Sequence, residues 1–163
     1  LSADHSHSGE PEWVSGHAHE PNLATPDGDG AFQVINASGA QRCTLDWLTQ
    51  LRRVQMADCF IFSTGHSASG PFVFGGILLA DLLTAVSVSL GWRYVDVVSA
   101  DGFGARIHPA DLSVSRPPLL AFEIDGAPMT RKQGLVRLVV PTETDDALRQ
   151  VKWIAEIRVV TDS

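Results

Sequence analysis

The chain predicts an α+β domain, rich in strands that form a mixed sheet, with two or three short helices. Three observations carry that prediction. Apolar and polar residues alternate with period two in several short runs, among them Phe32 to Asn36 and Val151 to Val160. One stretch instead has helical spacing, with Leu78, Leu79, Leu82, Leu83 and Val86 on one stripe. Asp-Gly pairs at 101–102 and 125–126 supply tight turns between strands.

Taken in order, Phe32 to Asn36 is a strand, and Ser38-Gly39 suits a turn. Thr44 is placed to cap a short helix through Leu51, with Asp46 in its first turn. Val54 to Ser63 is a strand. Strict alternation puts Val54, Met56, Phe60 and Phe62 on one face, and Cys59 and Ile61 on the other. Gly65 to Pro71 reads as a loop before the helical stripe. Tyr94 to Ser99 and Phe103 to Ile107 flank the Asp101-Gly102 turn, where Asp101 serves as a turn cap. Leu119 to Ile124 and Val136 to Val140 follow, and Val151 to Val160 closes the sheet. His108, before Pro109, reads as a surface turn residue.

Composition narrows the function classes. At 163 residues the chain has room for one domain with its own core. A net charge of −7 and no basic patch argue against nucleic acid. No apolar run approaches the ~20 residues of a transmembrane segment. Residues 1–30 differ from the rest in being rich in His, Ser, Gly, Pro and acid, and are expected to form an arm hinged at Asp27-Gly-Asp-Gly30. The domain is then 31–163. The opening at Leu1, with no Met, suits a processed secretory precursor as well as a trimmed chain. A periplasmic or extracellular location is the expectation. Cys43 and Cys59 can form one bridge, which would stabilise by roughly 3 kcal/mol in the chain-entropy model.

The run from Val54 to Leu83 contains Phe74, Gly76, Leu79, Asp81, Leu82 and Leu83, an aromatic-x-Gly-x-x-Leu-x-Asp-Leu-Leu pattern. Further on come Val98-Ser-Ala-Asp-Gly-Phe103, Leu119 to Met129, Gly134 to Pro141 and Val151 to Ile157. Together these pieces resemble, in order and spacing, the sulfite-oxidase-like oxidoreductase molybdopterin-binding domain family. The resemblance implies that family's fold, with molybdenum held by a strand cysteine. Counted without gaps from Arg53-Val54, that cysteine's position falls on Phe62, whose benzyl group cannot ligate a metal. Gln133 stands where the family commonly has histidine, while Arg137 and Pro141 remain. The following loop, Thr142-Glu-Thr-Asp-Asp146, has no glycine and three carboxylates, which oppose a phosphate. Lys152-Trp153 is kept. Cys59 lies three residues from the expected position, and an odd shift changes the face of a strand unless a bulge intervenes.

The cleft implied by the resemblance is lined by Phe62, His66, Arg137 and Lys152, each of which has a structural reading beside the functional one. Arg137 and Lys152 suit a charged strand surface as well as an anion site. Trp153, Leu82, Leu83 and Phe103 read as core. His5-Ser-His7 and His17-Ala-His19 can each turn two imidazoles toward one ion, which suits copper or zinc, or they belong to a solvated tail. No nucleophile elbow accompanies Ser63, Thr64, Ser67 or Ser69, so a serine hydrolase is not supported.

Three functions follow. The first is a non-catalytic binding or accessory module that has lost molybdenum ligation and takes a small-molecule ligand or a partner protein. The second is a molybdopterin-dependent oxidoreductase acting on a small oxyanion or sulfoxide, which would need Cys59 as its thiolate. The third is a copper or zinc chaperone or sensor working through the arm.

Overall fold

The computed structural model describes residues 29–62, 68–86, 88, 91–141 and 151–161, with only the backbone of 61, 62, 68 and 69. Ten strands and two helices lie among them. The first sheet is built from β1 (Phe32–Asn36), β2 (Gly39–Cys43), β5 (Trp92–Ser99), β6 (Gly104–Ile107) and β10 (Ile154–Thr161). Its order is β2-β1-β10-β5-β6, with β1 parallel to β10 and the other pairs antiparallel. The second sheet is antiparallel: β3 (Val54–Phe62), β4 (Ala68–Leu78), β7 (Leu119–Ile124) and β8 (Ala127–Pro128) in that order, with β9 (Arg137–Val139) also on β7.

Local chemistry explains most boundaries. The Asn36 carboxamide accepts the Ser38 amide at 2.8 Å, closing the turn from β1 into β2. Sequence alone had marked no strand at β2, because four of its five residues are exposed and carry no apolar alternation. Thr44 Oγ1 accepts the Trp47 amide at 3.1 Å and caps α1 (Leu45–Leu48). The helix ends three residues before Leu51, as the amides of Gln50 and Leu51 bond three residues back rather than four.

Two expectations are corrected by strand pairing. Residues 68–71 belong to β4 rather than to a loop, and Leu78 ends that strand instead of joining the helix. Gly76 allows this: a Cβ there would stand 2.0 Å from the Leu120 carbonyl oxygen, so only glycine lets β4 and β7 approach so closely. α2 (Leu79–Ala85) therefore starts one residue late, its first amide donating to Pro118 O at 3.1 Å. The second correction concerns β10, which lies at the centre of the first sheet. Val151 forms only an isolated bridge with Leu138, and Trp153 breaks the run with a positive φ of 51°.

The main core lies between the sheets. Phe32, Val34, Val97 and Ile157 from the first sheet meet Ile77, Leu120, Phe122 and Leu138 from the second, and Leu82 and Leu83 of α2 close one side. Phe103 is also there, and Trp153 is buried, as the sequence led us to expect. Burying each such side chain stabilises by roughly 1.5–3 kcal/mol. A second, smaller cluster lies on the opposite face of the second sheet, around Cys59, Phe74, Leu119, Ala121, Met129 and Val139. The two cysteines thus sit in different interiors. Both are free thiols, and the bridge between them is not formed.

Candidate functional site

The site grows out of a bulge in β3. Met56 pairs with Phe74 and Cys59 with Phe72, so three steps along β3 match two along β4. The extra residue is accommodated where Asp58 takes a left-handed conformation, φ 55°. It reverses the alternation, so Cys59 joins Val54 and Met56 in the outer cluster, while Phe60 is 39% exposed. The opposite-face expectation for Cys59 is corrected for that reason. β4 carries a compensating extra residue between Phe72 and Ser69, and the register is restored at Phe62 opposite Ala68.

Arg116 holds the bulge. Its Nη2 donates to the carbonyl oxygens of Ala57 and Asp58, the latter at 3.3 Å, and lies 3.5 Å from Cys59 Sγ. Nothing around Arg116 in the sequence marks this role, since its partners lie 57 to 59 residues away. The Cys59 thiol donates to Met56 O at 3.4 Å and Ala57 O at 3.5 Å. Burial raises its pKa above the ordinary value; Arg116 opposes this and Asp58 adds to it. Such a thiol stays protonated at neutral pH, whereas a metal ligand must be a thiolate.

Arg137 shares this face. It pairs with Ala121 on β7, and its guanidinium carbon lies 5.9 Å from the centre of the Phe74 ring. The side chain is buried, which excludes the charged-surface reading for it. Burial pushes its pKa down to about 10. Its Nη1 donates to the Gln133 carbonyl at 3.1 Å. Gln133 in turn uses its side-chain oxygen to accept the Thr130 amide at 2.9 Å, so it folds the turn that holds Arg137.

Lys152 is brought to the same place. Its pKa is lowered by burial first and then by the charge of Arg137, with Asp101 opposing. The two cations are therefore close enough to repel. Lys152 Nζ lies 4.6 Å from the Trp153 ring centre, and the indole Nε1 donates to Arg131 O at 2.6 Å. The Lys152 stem lies on Gly134, where a Cβ would stand 3.1 Å away. Leu135 and Trp153 both have positive φ, 60° and 51°, and Trp153 N bonds to Gly134 O at 3.0 Å. Left-handed non-glycine residues cost of order 1–3 kcal/mol each. Two of them flank Arg137 and Lys152.

Of the four expected cleft residues, Arg137 and Lys152 are brought together. Phe62 ends β3 with its backbone opposite Ala68, and His66 lies outside the described residues. So do His5, His7, His17 and His19 and the loop Thr142 to Asp146. Among the described residues, no three His, Cys, Asp or Glu side chains are grouped to hold a metal ion. Asp101 caps its turn as expected, accepting from Ser99 Oγ and from the Phe103 amide. His108 is exposed at the start of a 3-10 turn, Pro109–Leu112. No described helix is long and apolar enough to cross a membrane.

The arrangement suits an anion: a desolvated guanidinium and an ammonium beside it, with a polarisable ring below. Against molybdopterin, it fits the phosphate end of the cofactor and not the metal end. The described thiols are Cys43, inside the main core, and Cys59, bonded as a donor in apolar surroundings. No redox step is derived through the group.

The sequence profile of the oxidoreductase molybdopterin binding domain matches residues 38–163. No curated protein matches. Among solved structures, the chain is similar to the sulfane dehydrogenase SoxCD from Paracoccus pantotrophus, with a TM-score of 0.66 and 17% identity over 81% of this chain. The match spans 38% of the SoxCD chain, and at that identity it shows a shared fold alone. With three quarters of its length inside one family profile, and a strand-rich α+β fold shared with SoxCD, the chain belongs to the oxidoreductase molybdopterin-binding domain family.

Proposed function

We propose that this chain is a non-catalytic binding or accessory module of the family, one that has lost molybdenum ligation and uses its old cofactor cleft to hold a small anionic ligand. The observation that carries the reading is the pairing of buried Arg137 with Lys152 on a face where the nearest thiol is protonated and internally bonded. Two adjacent cations destabilise one another until an anion arrives. Phe62 in the cysteine's place supports the same reading. A ligand with a phosphate, sulfate or carboxylate group matches that charge, and a periplasmic or extracellular setting is proposed with it.

The test is elemental analysis of the full chain, untagged, from a host that makes molybdenum cofactor, joined to calorimetric titration with inorganic phosphate. Expected are well under 0.1 molybdenum per chain and phosphate binding that Lys152→Gln weakens about tenfold. Near-stoichiometric molybdenum would overturn the reading.

A second reading has one observation in its favour. The bulge turns Cys59 to the Arg137 face, so a molybdopterin-dependent oxidoreductase acting on a small oxyanion or sulfoxide would find its thiolate there. Molybdenum lost in Cys59→Ser would support it. Copper or zinc bound through His5, His7, His17 and His19 is a separate proposal, which stoichiometric copper or zinc in the same analysis would support.

A further inference from the structure

Trp153 pins its neighbour Lys152 between two segments that meet only in the folded chain. The Trp153 amide donates to Gly134 O at 3.0 Å, and its carbonyl accepts the Ala100 amide at 2.8 Å. Lys152 therefore stands half-buried between the 133–134 peptide and the Asp101 turn. Its stem lies along Gly134, where both Lys152 Cβ and Cγ would be 3.1 Å from an added Cβ. Arg137 grips the other side of the same peptide, donating to Gln133 O at 3.1 Å. An amine and a buried guanidinium thus flank one peptide unit.

The two cations differ in their chemistry. With its pKa at about 10, the guanidinium keeps its proton at neutral pH and serves to hold an anion. An amine gains a lone pair when it gives up a proton. Burial and then the charge of Arg137 work against the ammonium form of Lys152, with Asp101 opposing. Lysines desolvated beside another cation are the ones that form imines with carbonyl compounds. The Trp153 ring, 4.6 Å from Nζ, favours a cation and suits a protonated imine as well as it suits an ammonium.

We propose that Lys152 is a covalent binding site, whose amine condenses with the carbonyl carbon of a small 2-oxo acid while Arg137 holds the acid's carboxylate. The proposal rests on the anion-cleft reading and names a ligand class for it. In a 2-oxo acid the carboxylate is joined directly to the carbonyl carbon, so one compact ligand reaches both side chains. Lys152 gives one proton to solvent, and its lone pair then attacks the carbonyl carbon. As the C–N bond forms, the carbonyl oxygen takes a proton from the nitrogen. It takes another from solvent, its bond to carbon breaks, and it leaves as water. A protonated imine remains, and nothing is oxidised or reduced.

The sequence supplies its own control, because Lys132 and Lys152 are the only lysines in the chain and Lys132 is exposed. The full chain is incubated at neutral pH with glyoxylate, the smallest 2-oxo acid, and cyanoborohydride, which reduces an imine to a stable carboxymethyl-amine. The rate at each lysine is read by peptide mass. Lys152 should react at least fivefold faster than Lys132, and excess inorganic phosphate should remove that preference. With glycolaldehyde, which has no carboxylate, the preference should fall at least threefold. Equal or slower reaction at Lys152 would overturn the covalent site, while phosphate binding measured by calorimetry on the same protein would leave the anion-cleft reading standing. A Lys152 preference that is the same with both aldehydes and indifferent to phosphate would overturn the 2-oxo acid, and the anion-cleft reading with it.

Discussion

Leu119 and Leu120 are neighbours on β7, both fully buried, yet they look into different interiors. Leu120 faces the first sheet, among Ile77, Phe122, Leu138 and the aliphatic side chains of β5 and β10. Leu119 faces away from it, into a cluster that holds Cys59, Phe74 and Met129 and adjoins Arg137. The inner face is apolar packing between sheets. The outer face is nearly as dry, and it buries a guanidinium. A buried charge rarely improves stability over an apolar side chain of similar volume. Its presence, with strained residues beside it, supports the proposed binding on that face, while the other face packs the fold.

Changes at each face should therefore fail differently. The largest effect is expected where the sheet's own strands touch. Gly76→Ala forces a methyl into the Leu120 carbonyl and should cost about 3 kcal/mol, with much reduced soluble yield, measured by denaturant unfolding. If it unfolds at the parent's midpoint, the close approach of β4 and β7 is wrong.

The two thiols sharpen the comparison by pH. Burial pushes Cys43 up to about 11 from an ordinary 9.0. Unfolded chains release that proton near pH 9 and folded ones keep it, so stability is intact below pH 9 and is lost as pH rises toward 11. The loss should reach about 2 kcal/mol, and Cys43→Ala should flatten the slope in that window. An unchanged slope would place the thiol outside the core.

A smaller effect is expected at the bulge. Arg116→Ala removes the donor to Ala57 and Asp58 and should cost about 1 kcal/mol. Alkylation of Cys59 by a maleimide should become faster in that variant, while Cys43 stays protected. Equal rates would mean that the bulge holds itself.

The smallest stability change falls on the residue with the largest binding effect. Lys152→Gln should shift stability by less than about 0.5 kcal/mol, because it also relieves repulsion with Arg137. Tenfold weaker phosphate binding with an unaltered unfolding midpoint is the expected pair of results. A large loss of stability would assign Lys152 to the fold.

How far the sequence led can be judged element by element. β1 and β7 were legible to the residue, β1 because its apolar positions alternate and β7 as a short apolar run, with a turn after each. The cap at Thr44 was legible as well. The strand–helix boundary at Leu78 was not, because a continuous apolar run suits both periods, and the deciding contact is Gly76 against a chain 44 residues further on. In the site, Arg137 and Lys152 were found through the resemblance, whereas their proximity and the burial of Arg137 were not. Arg116 left no trace at all.

The chain by itself determined the fold class, the family, the phenylalanine at the position where the resemblance implied a cysteine, and the separation of acid from base along its length. These follow from local periodicity, residue identity and charge. Only the tertiary structure decided which way Cys59 faces, that β10 is central, and that a half-buried Lys152 comes close to the buried Arg137 fifteen positions before it. Each depends on backbone pairing between distant segments. One extra residue in a strand inverts every side chain beyond it, and nothing in the local alternation records the bulge.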